Sequence, residues 1–271
     1  MIVHMSESTA IDLMMRRASC RSYESRRPSD DEIAAIVRAG MQAPFASQMA
    51  CVLLSERPKA PFGAPLWWYV CADIHRLELF MAARGWKRVT DDSVMLLFAM
   101  QDAAYLAENM VIAAESLGLG SCYLGDAPFH ADTIAEEFDL PPRVMPLVGL
   151  VMGYPAQREP PRPRYPLDYI LHVGRYRDPD AGELARAMEF MDSGYLAQDY
   201  YRKARAKIPL EDGRPDPYDW DTYSWTEHIS RKWGQWWPEP DASLLEQLAK
   251  RGFRLGPAAP EATIGPNPRH P

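Results

Sequence analysis

A chain of 271 residues that is 47% hydrophobic and 11% aromatic can bury a core in one large domain or two small ones, which excludes disorder for most of its length. Its 30 Lys and Arg against 37 Asp and Glu give a formal charge of -7, without the basic excess of a nucleic-acid groove, so any bound anion must be met by local charge. Cys20, Cys51, Cys71 and Cys122 are scattered with no CxxC pair, which argues against a zinc site or a disulfide framework and fits a cytoplasmic protein.

Met1 to Ala10 carries Glu7 and no long apolar run, so no signal peptide is expected. Residues Ile11 to Ala18 read as a short helix, followed by a basic turn from Ser19 to Arg27. Ser29 and Glu32 form a capping box that opens a helix with Ile33, Ile36, Val37 and Met41 on one face, ending near Pro44. Ala50 to Ser55 and Leu66 to Ala72 are apolar runs bounded by Pro or charge, the pattern of buried strands. Asp73 is expected to cap a helix through Arg84. From Asp91 to Leu117 the chain has no Pro or Gly, with Thr90 as a cap and Gly118 as a stop, giving one helix of roughly 40 Å. Apolar residues lie on most of its faces, so it must be buried in the subunit or against a partner chain, and a homodimer follows. Gln101, Asp102, Glu108 and Asn109 interrupt it and exclude a membrane span.

Ser121 to Leu124 and Pro146 to Met152 are further strands, separated by a helix from Ala131 to Phe138. Four strands interleaved with helices predict an α+β layer fold. Tyr154 to Pro166 is proline-rich and extended, and Asp180 to Ala206 reads as helical. Trp220, Trp225, Trp233, Trp236 and Trp237, five of eight tryptophans, then fall in a proline-rich region that suggests an arm packing on other surfaces. The expected organisation is a core over 1–175, a helical and Trp-rich arm over 176–255, and a disordered tail over 256–271.

Three segments carry candidate chemistry. Arg16, Arg17 and Arg21 with Ser19 crowd a helix-to-loop junction, where guanidinium groups suit a phosphate; the competing reading is a solvated basic turn. Arg162 and Arg164 flank Pro163, so in an extended segment both point the same way. Gly118 to Gly125 is a helix stop, a strand and a glycine that lets backbone approach a ligand, without the GxGxxG of a dinucleotide fold. The histidines His4, His75, His130, His172, His228 and His270 are dispersed, and HExxH, GxSxG and metal-ligand spacings are lacking. His228 reads as a structural hydrogen-bonding residue, and Asp91 and Asp92 as helix N-terminal charges. With no evident acid, base or nucleophile, a bound cofactor is expected to carry the chemistry.

Taken together these pieces resemble the nitroreductase family, within it the oxygen-insensitive nitroreductase A and NADPH-flavin oxidoreductase subgroup, from about Ile11 to Phe253. Arg17-Ala18-Ser19-Cys20-Arg21-Ser22-Tyr23 is similar to the family's opening motif, whose first Arg and Ser hold the FMN phosphate and whose second basic residue reaches the isoalloxazine. Pro44-Phe45-Ala46 stands where the family has a Ser-rich loop touching FMN from the other subunit. Tyr123-Leu124-Gly125-Asp126 resembles the loop whose backbone faces flavin N5, and Arg162-Pro163-Arg164 the Lys/Arg-Pro-Arg that completes the phosphate site. Trp225-Thr226-Glu227-His228-Ile229 is similar to the subgroup's Trp-Ser-Asp-His-Ile.

The resemblance implies a nitroreductase-like mixed sheet with flanking helices, a domain-swapped C-terminal arm and a homodimer. It also implies FMN as cofactor, NADH or NADPH as co-substrate, and ping-pong reduction of nitroaromatics, quinones or flavins. Arg21 would tune the flavin, with no other catalytic side chain and no metal. The alternative is a non-catalytic FMN store or sensor. Three departures stand out: hydroxyl donors are missing from Pro44-Phe45-Ala46, Asp126 stands where a second glycine is expected after Leu124-Gly125, and Asp219, Asp221 and Thr222 lie where the subgroup has basic residues for the 2′-phosphate of NADPH. Arg202, Lys203, Arg205 and Lys207 lie upstream, and the expectation is a weakened NADPH preference.

Overall fold

A computed structural model describes residues 9–235 and 243–255 of the chain. The expected disordered tail, 256–271, and Trp236 and Trp237 lie outside the described residues. The chain forms two compact units, one of residues 1–159 with 240–271 and one of residues 160–239.

In the first unit the order is α1 (Thr9–Arg16), α2 (Asp30–Met41), β1 (Ala50–Leu54), β2 (Leu66–Asp73), α3 (His75–Ala83), α4 (Asp92–Ser116), β3 (Gly120–Leu124), α5 (Ala131–Glu137), β4 (Val144–Gly153) and α10 (Leu244–Lys250). The strands pair in the order β1-β2-β4-β3, each pairing antiparallel. The parallel component of the expected mixed sheet is therefore not found among the described residues, apart from an isolated parallel bridge between Ser19 and Ser121.

Near-continuous apolar strands are explained by burial on both faces. Leu66 and Trp68 of β2 and Leu150 and Met152 of β4 pack with Met110, Val111 and Ala114 of α4. Tyr69 and Cys71 point to the opposite face, against Ala127 and Ile134. The α2 helix opens on the expected capping box, in which Ser29 and Glu32 bond reciprocally to backbone, worth about 1 kcal/mol. It crosses α4 at Gly40, where a β-carbon would lie 2.6 Å from Met110 Cγ.

Several boundaries differ from the sequence reading for local reasons. Asp91, not Thr90, caps α4, accepting from Val94 N at 3.0 Å. Ile74 is the N-cap position of α3, and Asp73 still accepts from Arg76 N at 3.2 Å. The α4 helix, expected to be covered on most faces, is buried along one side; Leu97 (55% exposed) and Phe98 (41%) stand on the other with Val94, Met100 and Tyr105.

The second unit holds α6 (Leu167–Ile170), α7 (Ala181–Ala197), α8 (Tyr200–Ala204) and α9 (Trp225–Gly234). The helix expected over 180–206 is broken at Asp199, whose φ of 51° is left-handed and ends the ladder. The core here is mainly tyrosine, with Tyr195, Tyr201 and Tyr223 around Met191. Trp225 packs on it, whereas Trp220 and Trp233 are exposed, so the tryptophan-rich region draws its described burial from tyrosines.

The expected core and arm boundary at 175/176 does not coincide with the units. The extended proline-rich segment already ends the first unit, and α10 returns to it: Gln247 accepts from Asp132 N at 2.9 Å, and buried Arg251 donates to Val144 O at 3.0 Å.

Candidate functional site

Where α1 ends, the chain runs extended along β3. Cys20 N donates to Ser121 O at 2.8 Å, Ala156 N to Ser22 O at 3.0 Å, and Glu24 N to Tyr154 O at 2.9 Å, so residues 19–24 are pinned on two sides. Two side chains fix the fit. The Tyr23 hydroxyl donates to Cys20 O at 2.8 Å, and burial drives its pKa far up, so it stays a donor. Gly120 has to be glycine, because a β-carbon there would sit 2.8 Å from Cys20 Cβ.

Arg21, exposed, stands on this segment, with half-buried Arg17 just before it and Arg16 at the end of α1. None of the three side chains makes a hydrogen bond or ion pair among the described residues. The nearest recorded anion is Glu115 at the end of α4, buried and ion-paired with Arg158 at 3.4 Å. Burial pushes its carboxyl above the usual range while Arg158, Arg17 and Arg16 pull it down. Burial pushes the Cys122 thiol up, against the pull of Arg21 and of Ser19 beside it. Ala18 and Cys20 contribute backbone, with Cys20 Sγ donating to Ser22 O at 3.2 Å.

Tyr123, Leu124, Gly125 and Asp126 follow at the end of β3. Tyr123 donates to Glu108 at 3.1 Å, and Leu124 packs on Gly149. A β-carbon at Gly125 would meet nothing within 4 Å, so the backbone there faces open space. Pro44, Phe45 and Ala46 form an exposed loop after α2, with Phe45 54% exposed.

Arg162 and Arg164 lie in the second unit. Arg162 donates to Gln198 at 2.8 Å and stacks 3.8 Å from the Tyr200 ring centre, and Pro163 is seated on Gly194 of α7. Arg164 folds back onto the carbonyls of Arg162 and Pro163 at 3.0 and 3.1 Å. His228 is the structural residue expected, its Nδ1 3.1 Å from the Tyr223 hydroxyl and its pKa lowered by burial, which keeps it neutral.

The donor set fits a phosphate-bearing planar cofactor: unpaired guanidinium groups on pinned backbone, a hydroxyl beside them, and an open glycine backbone one strand away. Sequence reasoning missed Asp102, Glu115 and Gly120. Asp102 carried a signal, since a carboxylate on an apolar helix needs a partner. Among the described residues, three or more His, Cys, Asp or Glu nowhere gather as a metal site would require, and none of the described helices is long and apolar enough to cross a membrane.

An antiparallel four-stranded sheet with a central helix and a cationic segment strapped to one edge strand defines an α+β protein of nitroreductase fold. In solved structures the same fold is seen in the NfrA1 nitroreductase of Bacillus subtilis, at a TM-score of 0.74 and 24% identity over 90% of this chain and 99% of that one. The oxidoreductase YcnD of the same species has a TM-score of 0.76 at 23% identity, over 91% and 98% of the two chains. Residues 55–154 match the Nitroreductase family. The chain is 27% identical to the oxygen-insensitive NADPH nitroreductase of Salmonella typhimurium over 91% of its own length and 98% of that protein's. It is 34% identical over 152 residues to a Cr(VI) reductase of a Pseudomonas strain, covering 54% of this chain and 63% of that protein. The matched stretch and the solved structures together show the nitroreductase fold.

Proposed function

We propose that the protein is a cytoplasmic, homodimeric, FMN-dependent NAD(P)H oxidoreductase that reduces small electrophiles such as nitroaromatics, quinones or flavins. The observation that carries this reading is the unpaired guanidinium group of Arg21 on a segment immobilised against β3, with those of Arg16 and Arg17 directly before it. Surface arginines normally find carboxylates, whereas these three side chains make no ion pair among the described residues.

In this reading Arg17 and Ser19 hold the phosphate, while the backbone of Ala18, Cys20 and Tyr123 to Asp126 lines the ring. Bound FMN would supply the two-electron chemistry, accepting hydride from the nicotinamide and delivering it to the acceptor in alternation at one site. Arg21 keeps a fixed positive charge beside the ring without moving a proton, which favours added negative charge there. The exposed Leu97, Phe98 and Tyr105 face of α4 meets a second copy, whose Pro44 to Ala46 loop closes the site.

Flavin absorbance of the purified protein, with stoichiometry per chain, tests the reading directly. Arg17→Ala should lose bound FMN while keeping the circular dichroism of the parent. Full flavin occupancy in this variant would overturn the assignment. Bleaching by NAD(P)H and recolouring on menadione separate an enzyme from a flavin store.

A further inference from the structure

The five residues Pro44 to Gln48 are all exposed, so side-chain burial does not set the shape of this loop. Its anchor comes from elsewhere. Asp102, in the middle of α4 and 3% exposed, accepts from Ala46 N at 2.6 Å, Ser47 N at 3.2 Å and Met49 N at 2.9 Å. Convergence of three amides on one carboxylate requires a kink, and Gln48 supplies it with a left-handed φ of 53°. Among the described residues Asp102 has no ion pair, although it is flanked by buried Ala99 and Ala103. A charge kept in such surroundings is balanced by the main-chain dipoles it gathers.

We propose that Asp102 is a positioning residue: it preorganises the Pro44 to Ala46 loop in the shape that closes the flavin site. This rests on the reading above, in which that loop touches FMN. Ionised carboxylate is acceptor only, so it matches three donors with no unmatched hydrogen. An amide in its place turns an NH2 toward at least one of them. The loop would then sample several shapes, and ordering it would have to accompany flavin binding.

The test compares Asp102→Asn with Asp92→Asn in the dimeric holoprotein. Asp92 is a second buried α4 carboxylate, bonded to Arg143 at 2.7 Å and to Arg254 N at 2.7 Å, away from the loop. FMN dissociation constants are read from flavin fluorescence on titration of stripped protein, Tm from calorimetry, and amide exchange at Ala46, Ser47 and Met49 by mass spectrometry. Asp102→Asn should weaken FMN by about ten-fold and speed exchange at the three amides. Asp92→Asn should lower Tm and leave FMN affinity within about two-fold. If Asp102→Asn does not accumulate, Asp102→Ser, which keeps one acceptor, is read in the same way. Faster exchange with unchanged FMN affinity overturns the proposal, as does equal weakening by both α4 variants. Either result leaves the function reading intact if Arg17→Ala loses FMN, whereas parent protein that binds no FMN defeats that reading itself.

Discussion

At the scale of single residues, the site depends on atoms that are missing as much as on those present. Gly120 lets Cys20 lie against β3, and a methyl at this position would meet backbone-anchored atoms at 2.8 and 3.2 Å. Gly120→Ala should therefore cost about 1–3 kcal/mol of stability through overpacking and weaken FMN, because Ser19 and Arg21 ride on the displaced segment. Urea denaturation and flavin titration measure the two effects; parental stability would mean the close approach is not needed. The residues legible in advance were those whose role is local. Ser29 and Glu32 declare a cap within four positions, and Arg17, Ser19 and Arg21 declare a cationic cluster within five. Asp102 was not legible as an anchor, because its donors lie 53 to 56 positions away and the amides of Ala46, Ser47 and Met49 have no side-chain signature.

At the scale of elements, α4 and the four strands could be read from apolar runs and their breakers, since burial on both faces leaves little ambiguity of type. Antiparallel pairing throughout was not, because strand partners are chosen by packing between distant segments. The second unit shows how charge is spent locally. Arg202 pairs with Asp221 and with Asp199 at 3.6 Å, Lys203 donates to Gln198 O at 2.9 Å, and Lys207 pairs with Asp216 at 3.0 Å. Three of the four upstream cations are thus engaged by their own unit, which leaves little positive charge to reward a 2′-phosphate. Initial rates with NADH should equal or exceed those with NADPH, and an NADPH preference above about ten-fold would show that these ion pairs open for the phosphate. Asp216 also accepts two bonds from buried Arg231, each 2.8 Å, which hold its carboxyl well below the usual range.

At the scale of the whole molecule, the exposed face of α4 is too apolar for a helix that meets water on one side, and a stable interface requires on the order of 1,000 Å² of such surface. Phe98→Glu should shift the protein to monomer in sedimentation velocity and release flavin with it; a variant that stays dimeric would place the interface elsewhere. The return of α10 to the first unit after the second intervenes escaped the sequence, because that connection has no local marker. The sheet order has a consequence for the newly made chain. β1 lies at the rim of the sheet with five uncharged residues, and Arg76 reaches over to bond the Ala50 carbonyl. That guanidinium shields one end of the strand and leaves the remainder as a template for foreign β-pairing. A chain whose β1 rim is still bare while it folds is thus the form most prone to pair strand to strand with another copy.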